Sequence, residues 1–225
     1  MLNSGLQILT DGINFSRLMS GLLVTIKIAF SSIFIGGFLG ISLGLIRTIR
    51  CKPLQFFCRL YLEIFRIVPI LVWLFIIYFG VSAWLDIHLE GTFVALLVFS
   101  LWGAAEMSDI VRGALESLPK HQSESAKALG LSFWQIYRHV LLPQAVRRLL
   151  PGSINLATRM IKTTSLIIII GVIDVVKVGQ QIIERSILKE PTASFWIYGF
   201  IFILYFIICF PLSKAASKLE QKWQA

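Results

Sequence analysis

The sequence predicts an all-α integral membrane protein with about five transmembrane helices, N-terminus outside and C-terminus cytoplasmic. Three observations carry this. Of 225 residues, 56% are hydrophobic and only 15% are charged, where a soluble domain usually has ~25%. Ile28–Ile46 and Ile67–Leu85 each hold nineteen residues without a charge, and Pro191–Ser213 holds twenty-three. A spanning helix needs about 20 mostly apolar residues. The runs are continuously apolar rather than alternating, which disfavours a β-barrel.

Two further spans are less clean. Gly91–Ala105 is uncharged for fifteen residues and then continues through Glu106 and Asp109. Asn155–Ile173 begins with Arg159 and Lys162 before the dense apolar run LIIIIGVI. Both qualify if their charges face protein or the interface. Met1–Ser20 reads as an amphipathic lead-in whose Leu6, Ile8, Leu9, Ile13, Phe15 and Leu18 rest at the membrane interface. No cleavable signal is expected, since the first charge is Asp11 and no basic segment precedes an apolar core. The chain is taken as one domain, 1–225, with a cytoplasmic insert at 112–150.

With five spans, alternate connections share a side. Arg47–Tyr61, Val111–Pro151 and the tail from Lys214 carry thirteen Lys and Arg, against four in the opposite set. The positive-inside rule places the richer set in the cytoplasm. The net charge of +9 is thereby a matter of topology and lipid contact, and no nucleic-acid partner is expected. Cys51, Cys58 and Cys209 have no metal-ligand spacing and read as small apolar side chains. No metal or cofactor is expected.

The insert is the informative segment. Pro119 fits a first helical turn, and Gly130 suits a left-handed cap after Ala128. Ser132 and Gln135 form a capping-box pattern for a second helix, expected to end before Pro143. A third short segment is expected to stop near Pro151 and Gly152. Such a hairpin is a rigid knob for a soluble partner. Ala126 and Ala128 would let that partner approach closely.

The residues Glu124-Ser125-Ala126, Gly130 and Leu142-Pro143, with Gln122 just before, resemble the signature of permease subunits of ATP-driven importers, in the polar amino acid branch. Ser125 replaces the usual middle alanine. The resemblance runs along the chain. Gly21, Thr25, Gly36, Gly40 and Gly44 match a glycine-spaced first span. Tyr61-x-Glu63-x-x-Arg66 with Pro69 resembles the start of the second, where Ile67 and Val68 replace Gly-Thr and Trp73 stands where relatives often carry Gln. Asp109-x-x-Arg112-Gly113 and Lys162-Thr163-Thr164-Ser165-Leu166 follow, the latter having lost an Asp at Thr163. Pro211-Leu212-Ser213 and Glu220 complete it. The resemblance implies a coupling helix that seats on an ATPase subunit through Gln122, Glu124, Ala126 and Gly130, with Pro143 setting the next turn. It also implies two ATPase subunits, a second permease chain (copy or paralogue), an extracytoplasmic amino-acid-binding protein, and a multi-pass place in a bacterial inner membrane.

The chain's own chemistry is compatible. No phosphate-binding Gly-rich loop ends in Lys-Ser or Lys-Thr, so ATP hydrolysis is expected on another subunit. Candidate path residues are Glu106, Asp109, Arg159, Lys162, Thr164 and Trp73. Glu106 lies roughly 22 Å along its span from Gly91, in the inner half. Glu63 and Arg66 have pairing spacing; Glu106 with Lys162, or Asp109 with Arg159, would neutralise the intramembrane charges. The acids tilt the expected substrate toward arginine, histidine or lysine, while glutamine, glutamate and aspartate remain open. Two other function classes fit the same sequence. One is a membrane scaffold docking a soluble partner through the insert. The other is an ion-driven carrier, which the lack of a visible internal repeat disfavours.

Overall fold

The structure, a computed structural model, describes residues 7–49 and 51–224. Leu6 and Arg50 of the sequence reading lie outside them. Eight helices are labelled here: α1 Asn14–Ile46, α2 Lys52–Ile67, α3 Ile70–Leu85, α4 Gly91–Glu116, α5 Lys120–Ala128, α6 Phe133–Ile170, α7 Val175–Ser186 and α8 Ala193–Gln224. Four of them (α1, α4, α6, α8) are long and apolar enough to cross a membrane, and the bent pair α2–α3 makes a possible fifth span.

The most extensive packing is α1 on α4. Gly36, Gly40 and Gly44 fall every fourth residue and form one face of α1. A Cβ on Gly36 would lie 2.8 Å from the Ser100 carbonyl oxygen, and on Gly40 2.5 Å from the Met107 Cβ. The bare face thus lets two backbones touch, the usual way to pack helices that gain nothing from excluding water. The contacts climb together, Gly36 with Ser100 and Gly44 with Val111, so α1 and α4 run parallel. The chain between them must therefore return across the bundle, and α3 is its apolar segment.

That return is shorter than the uncharged run suggested. Val68 is extended (ψ 128°) ahead of Pro69, because the proline ring crowds the helical conformation of the residue before it. Ile67 therefore closes α2, and α3 leaves it at 98°. A π turn at Ile76–Val81 interrupts α3.

α6 is antiparallel to α4, since Met160 meets Gly103 while Gly152 meets Ile110. It corrects two expectations. No break occurs before Pro143 and none at Pro151. A π turn, Tyr137–Leu141, leads into Leu142–Thr163, which carries Pro143 in its first turn and Pro151 in its interior. The wider turn shifts the carbonyl that Pro143 would otherwise strike. The helix closes at Gly171, φ +79°. α4 reaches Glu116 and α6 begins at Phe133. Between these two long helices the insert contributes one short helix, α5.

α8 lies against α1 and α6, with Cys209 packed on Ala29 and Ile161. The lead-in is also corrected. Ile8, Leu9 and Leu18 are buried with Val175, Ile182 and Ile197, so they cover α7 and α8 rather than resting at an interface; Ile13 and Phe15 stay exposed. The N-terminal start of α1 and the C-terminal end of α8 lie at opposite ends of the bundle. The insert shares its end with the C-terminus.

Candidate functional site

Three of the candidate path residues, Glu106, Asp109 and Arg159, come together where α1, α2, α4 and α6 meet. α4 presents Glu106 and Asp109 one turn apart on one face. Arg47, at the end of α1, reaches Asp109 at 3.3 Å and the Ser108 hydroxyl at 3.1 Å. Arg66, the last basic residue of α2, donates to Glu106 at 3.1 Å and to Asp109 at 3.0 Å. Arg159 on α6 donates to the other Glu106 oxygen at 2.5 Å and stacks its guanidinium over Trp102, 5.8 Å from the ring centre. Arg112 touches Asp109 at 3.5 Å and Glu116 at 2.8 Å. Both carboxylates are thus held by four guanidinium groups, an excess of two positive charges (4 − 2) before Glu116 takes its share of Arg112.

The Glu106 side chain is only 13% exposed, while Arg66 and Arg159 are 44% and 53% exposed. Arg47, Arg66 and Arg112 border a cavity of about 780 Å³, lined also by Glu106, Asp109, Arg59 and Glu63. It is large enough for an amino acid with its hydration. The Arg66 tip is available to something in that cavity, and Glu106 and Asp109 line its wall with their oxygens engaged by arginines.

The expected charge pairs are corrected on three points. Glu63 pairs with Arg59 at 2.7 Å rather than with Arg66. Glu106 takes Arg159, not Lys162, and Asp109 takes Arg47 and Arg66, not Arg159. An arginine reaches across a helix pair and offers a fork of donors, so partners on neighbouring spans displace partners set by spacing. Lys162 is separated from this centre. It lines a groove of about 340 Å³ with Tyr205, Phe206 and Cys209. Thr164 is fully buried and donates to the Ile161 carbonyl at 2.7 Å. Trp73 stacks on Phe65, 4.6 Å between rings at 13°. The residue the sequence reading overlooked here is Arg47, counted as a loop cation. Its signal was the α1–α4 register: if Gly44 meets Ser108 and Val111, the first charge after Ile46 stands level with Asp109.

The insert keeps its expected caps. Gly130 has φ +79°. Ser132 and Gln135 form the reciprocal capping box, with the Ser132 N–H donating to Gln135 Oε1 at 2.8 Å. Glu124 and Ala128 are exposed. Ala126 is buried at 5% exposure, so its small size serves packing within the insert rather than a partner's approach. Gln122 is half-buried, its Oε1 enclosed. Pro143 is exposed on the first turn after the π turn. Three large apolar side chains stand beside this group, Leu129, Phe133 and Trp134, exposed by 82%, 68% and 78%. Sequence reading missed them because exposure is not visible in residue type. Arg148 staples the insert's base to α4, donating to the Ser117 carbonyl and, at 2.8 Å, to its hydroxyl.

Residues 17–222 match the family described as binding-protein-dependent transport system inner membrane component. The chain belongs to that family. It is 34% identical over 210 residues to a probable amino-acid ABC transporter permease protein of Bacillus subtilis, YckA, covering 93% of this chain and 90% of that one. It is 31% identical over 203 residues to a probable glutamine ABC transporter permease protein, GlnP, of the same organism, covering 90% and 92%. The fold superimposes on a chain in the crystal structure of an amino acid ABC transporter with histidines, TM-score 0.81 at 25% identity, over 92% and 94% of the two chains. This chain is a multi-pass inner-membrane permease subunit of an ATP-driven importer, and ATP hydrolysis belongs to a separate subunit. Membership removes the scaffold and the ion-driven carrier.

Proposed function

We propose that the chain forms the translocation path for a polar or charged L-amino acid, with the insert end of the bundle in the cytoplasm. The observation that carries this is the arginine-rich centre on the open cavity, on helices that continue into the insert. The thirteen-to-four bias of basic residues supports the orientation.

The arrangement favours the substrate's carboxylate as the group held here. A cationic side chain would have to displace an arginine from Glu106 or Asp109. A carboxylate meets guanidinium donors already aimed into the cavity, a geometry suited to bidentate binding. The weight thus moves from the cationic preference toward a feature every amino acid shares, with side-chain choice left to the extracytoplasmic binding protein.

Coupling to the ATPase falls on Glu124 and Gly130, with Gln122, Ala126 and Pro143 supporting the shape. The length of α6 adds an argument. Its 38 residues span roughly 57 Å, against about 30 Å of hydrocarbon. Ile170 lies beside Gly91, where the apolar run of α4 starts. The excess is therefore at the Phe133 end. Phe133 and Trp134 then stand well beyond the lipid, where large exposed apolar groups mark a protein partner rather than a membrane belt. Two ATPase subunits need two such knobs, so a second permease chain completes the assembly.

The test is reconstitution in proteoliposomes with the ATPase and the binding protein, followed by uptake of a labelled amino-acid panel. ATP-dependent accumulation of at least one polar amino acid is expected. Accumulation without ATP, or none across the panel, overturns the reading.

A further inference from the structure

Asp174 stands apart from the charged centre, at the other end of the bundle. It follows the left-handed Gly171 and caps α7, its Oδ1 accepting from the Lys177 backbone N–H at 2.8 Å. The residue is fully buried, and its Oδ2 has no hydrogen-bond partner. The elements around it close tightly. A Cβ on Gly21 of α1 would lie 2.9 Å from the Asp174 carbonyl carbon and oxygen. The Val175 N–H donates to the Thr25 hydroxyl of α1 at 3.4 Å. Tyr205 of α8 packs against the buried cluster that contains Val175, and its hydroxyl has no hydrogen-bond partner.

We propose that Asp174, sealed between α7 and the Gly21–Thr25 face of α1, is a buried proton-binding site that holds these two helices together most tightly when the carboxyl is protonated. An unpaired carboxylate out of water is costly, and its protonated form is a hydrogen-bond donor. Protonation removes the buried charge, so the neutral carboxyl costs less to enclose than the ionised one.

The charged and titratable surroundings do not supply another partner. α1 offers Gly21 and Thr25 at this point, and α8 packs Tyr205 against the cluster that holds Val175. Within reach on α7, Lys177 turns its ammonium to Gln180 at 3.2 Å. On α1, Arg17 is engaged by Gln181 at 2.6 Å. Among the described residues, no salt bridge to Asp174 is formed. Burial pushes the carboxyl up to about 6, against the pull of the α7 backbone N–H groups. The ordinary value is about 3.9. Between these, the folded protein holds more proton than the unfolded chain. Stability is therefore fully present at low pH and lost as pH rises through about 6.

The proposed orientation turns this end to the extracytoplasmic side, where pH follows the environment. The site itself does not depend on that reading, and the experiment below needs no transport. The full permease complex in nanodiscs is melted between pH 5 and pH 8, as wild type and as Asp174→Asn. Asparagine can still cap α7 but carries no titrating proton. Relative to the variant, the wild-type folding equilibrium is expected to weaken about tenfold from pH 5 to pH 8. Above pH 7 the Asn variant is expected to be at least as stable as the wild type. Equal pH slopes, or an Asn variant clearly less stable above pH 7, overturn the proposal. A readout independent of the variant's folding is infrared titration of wild-type protein labelled with ¹³C-aspartate. A carboxyl stretch that persists at pH 5.5 and disappears by pH 8 is expected; its absence at pH 5.5 overturns the proposal.

Discussion

Glu106 and Asp174 are both carboxylates held inside one helix bundle, and the fold treats them in opposite ways. Glu106 has a guanidinium on each oxygen and lines a large cavity together with Arg66. Asp174 has one backbone N–H, an oxygen without a partner, and no exposure. Charge is kept at the first centre by pairing it. At the second it is discouraged by sealing it. The difference separates a surface that can exchange partners with a passing solute from a joint that holds helices together.

The largest expected effect comes from Arg66, which bridges both acids. Arg66→Gln leaves Glu106 and Asp109 each short of a partner. Breaking a fully buried pair costs about 3–5 kcal/mol; Arg66 is 44% exposed, so about 1–2 kcal/mol is expected after screening. Uptake in proteoliposomes should fall by about tenfold or more. Near wild-type uptake would show that the arginine centre is only structural.

The insert comes next. Trp134→Ala or Glu124→Lys should leave membrane insertion and melting nearly unchanged, because neither side chain is buried, while Gly130→Pro should keep insertion but distort the cap, losing the Gly130 N–H bond to Lys127. Stimulation of the ATPase by loaded binding protein should drop several-fold, most for Gly130→Pro, since φ +79° is closed to proline. Wild-type stimulation in all three would remove the docking surface and leave the two carboxylate centres unconnected to ATP.

The smallest effect is expected at Lys162. Its groove is distinct from the Glu106 cavity, and it makes no salt bridge among the described residues. Lys162→Met should change uptake by less than about twofold and stability by under ~0.5 kcal/mol. A loss matching Arg66→Gln would place Lys162 on the path after all and blur the separation of the two centres.

The spans, the glycine face of α1 and the insert's caps were legible in the sequence because each is a local pattern: uncharged length, a four-residue period, a capping box. The pairing of the charges was not. Arg47 and Asp109 are 62 residues apart, and only the parallel register of α1 on α4 makes them neighbours. Pro143 misled for a related reason. A proline ends a helix when nothing else holds the chain, but α6 is held by α4 and α8, and a π turn absorbs the ring. Asp174 drew no notice because a lone acid after Gly171 reads as an ordinary cap. What distinguishes it is the enclosure supplied by Gly21 and Thr25, two residues of α1. The placement of Phe133 and Trp134 beyond the lipid follows from the length of α6, which the expected break before Pro143 concealed.

The central claim is that Glu106 serves transport while Asp174 serves the joint. It is tested by uptake of labelled arginine and glutamine at pH 7.5 in proteoliposomes carrying Glu106→Gln or Asp174→Asn at matched expression, with ATPase and binding protein present. The account predicts that Glu106→Gln lowers both substrates equally, by about tenfold or more, because it frees Arg66 from the geometry that meets a carboxylate. Asp174→Asn should transport both at close to the wild-type rate. Normal uptake in Glu106→Gln together with loss in Asp174→Asn would contradict it.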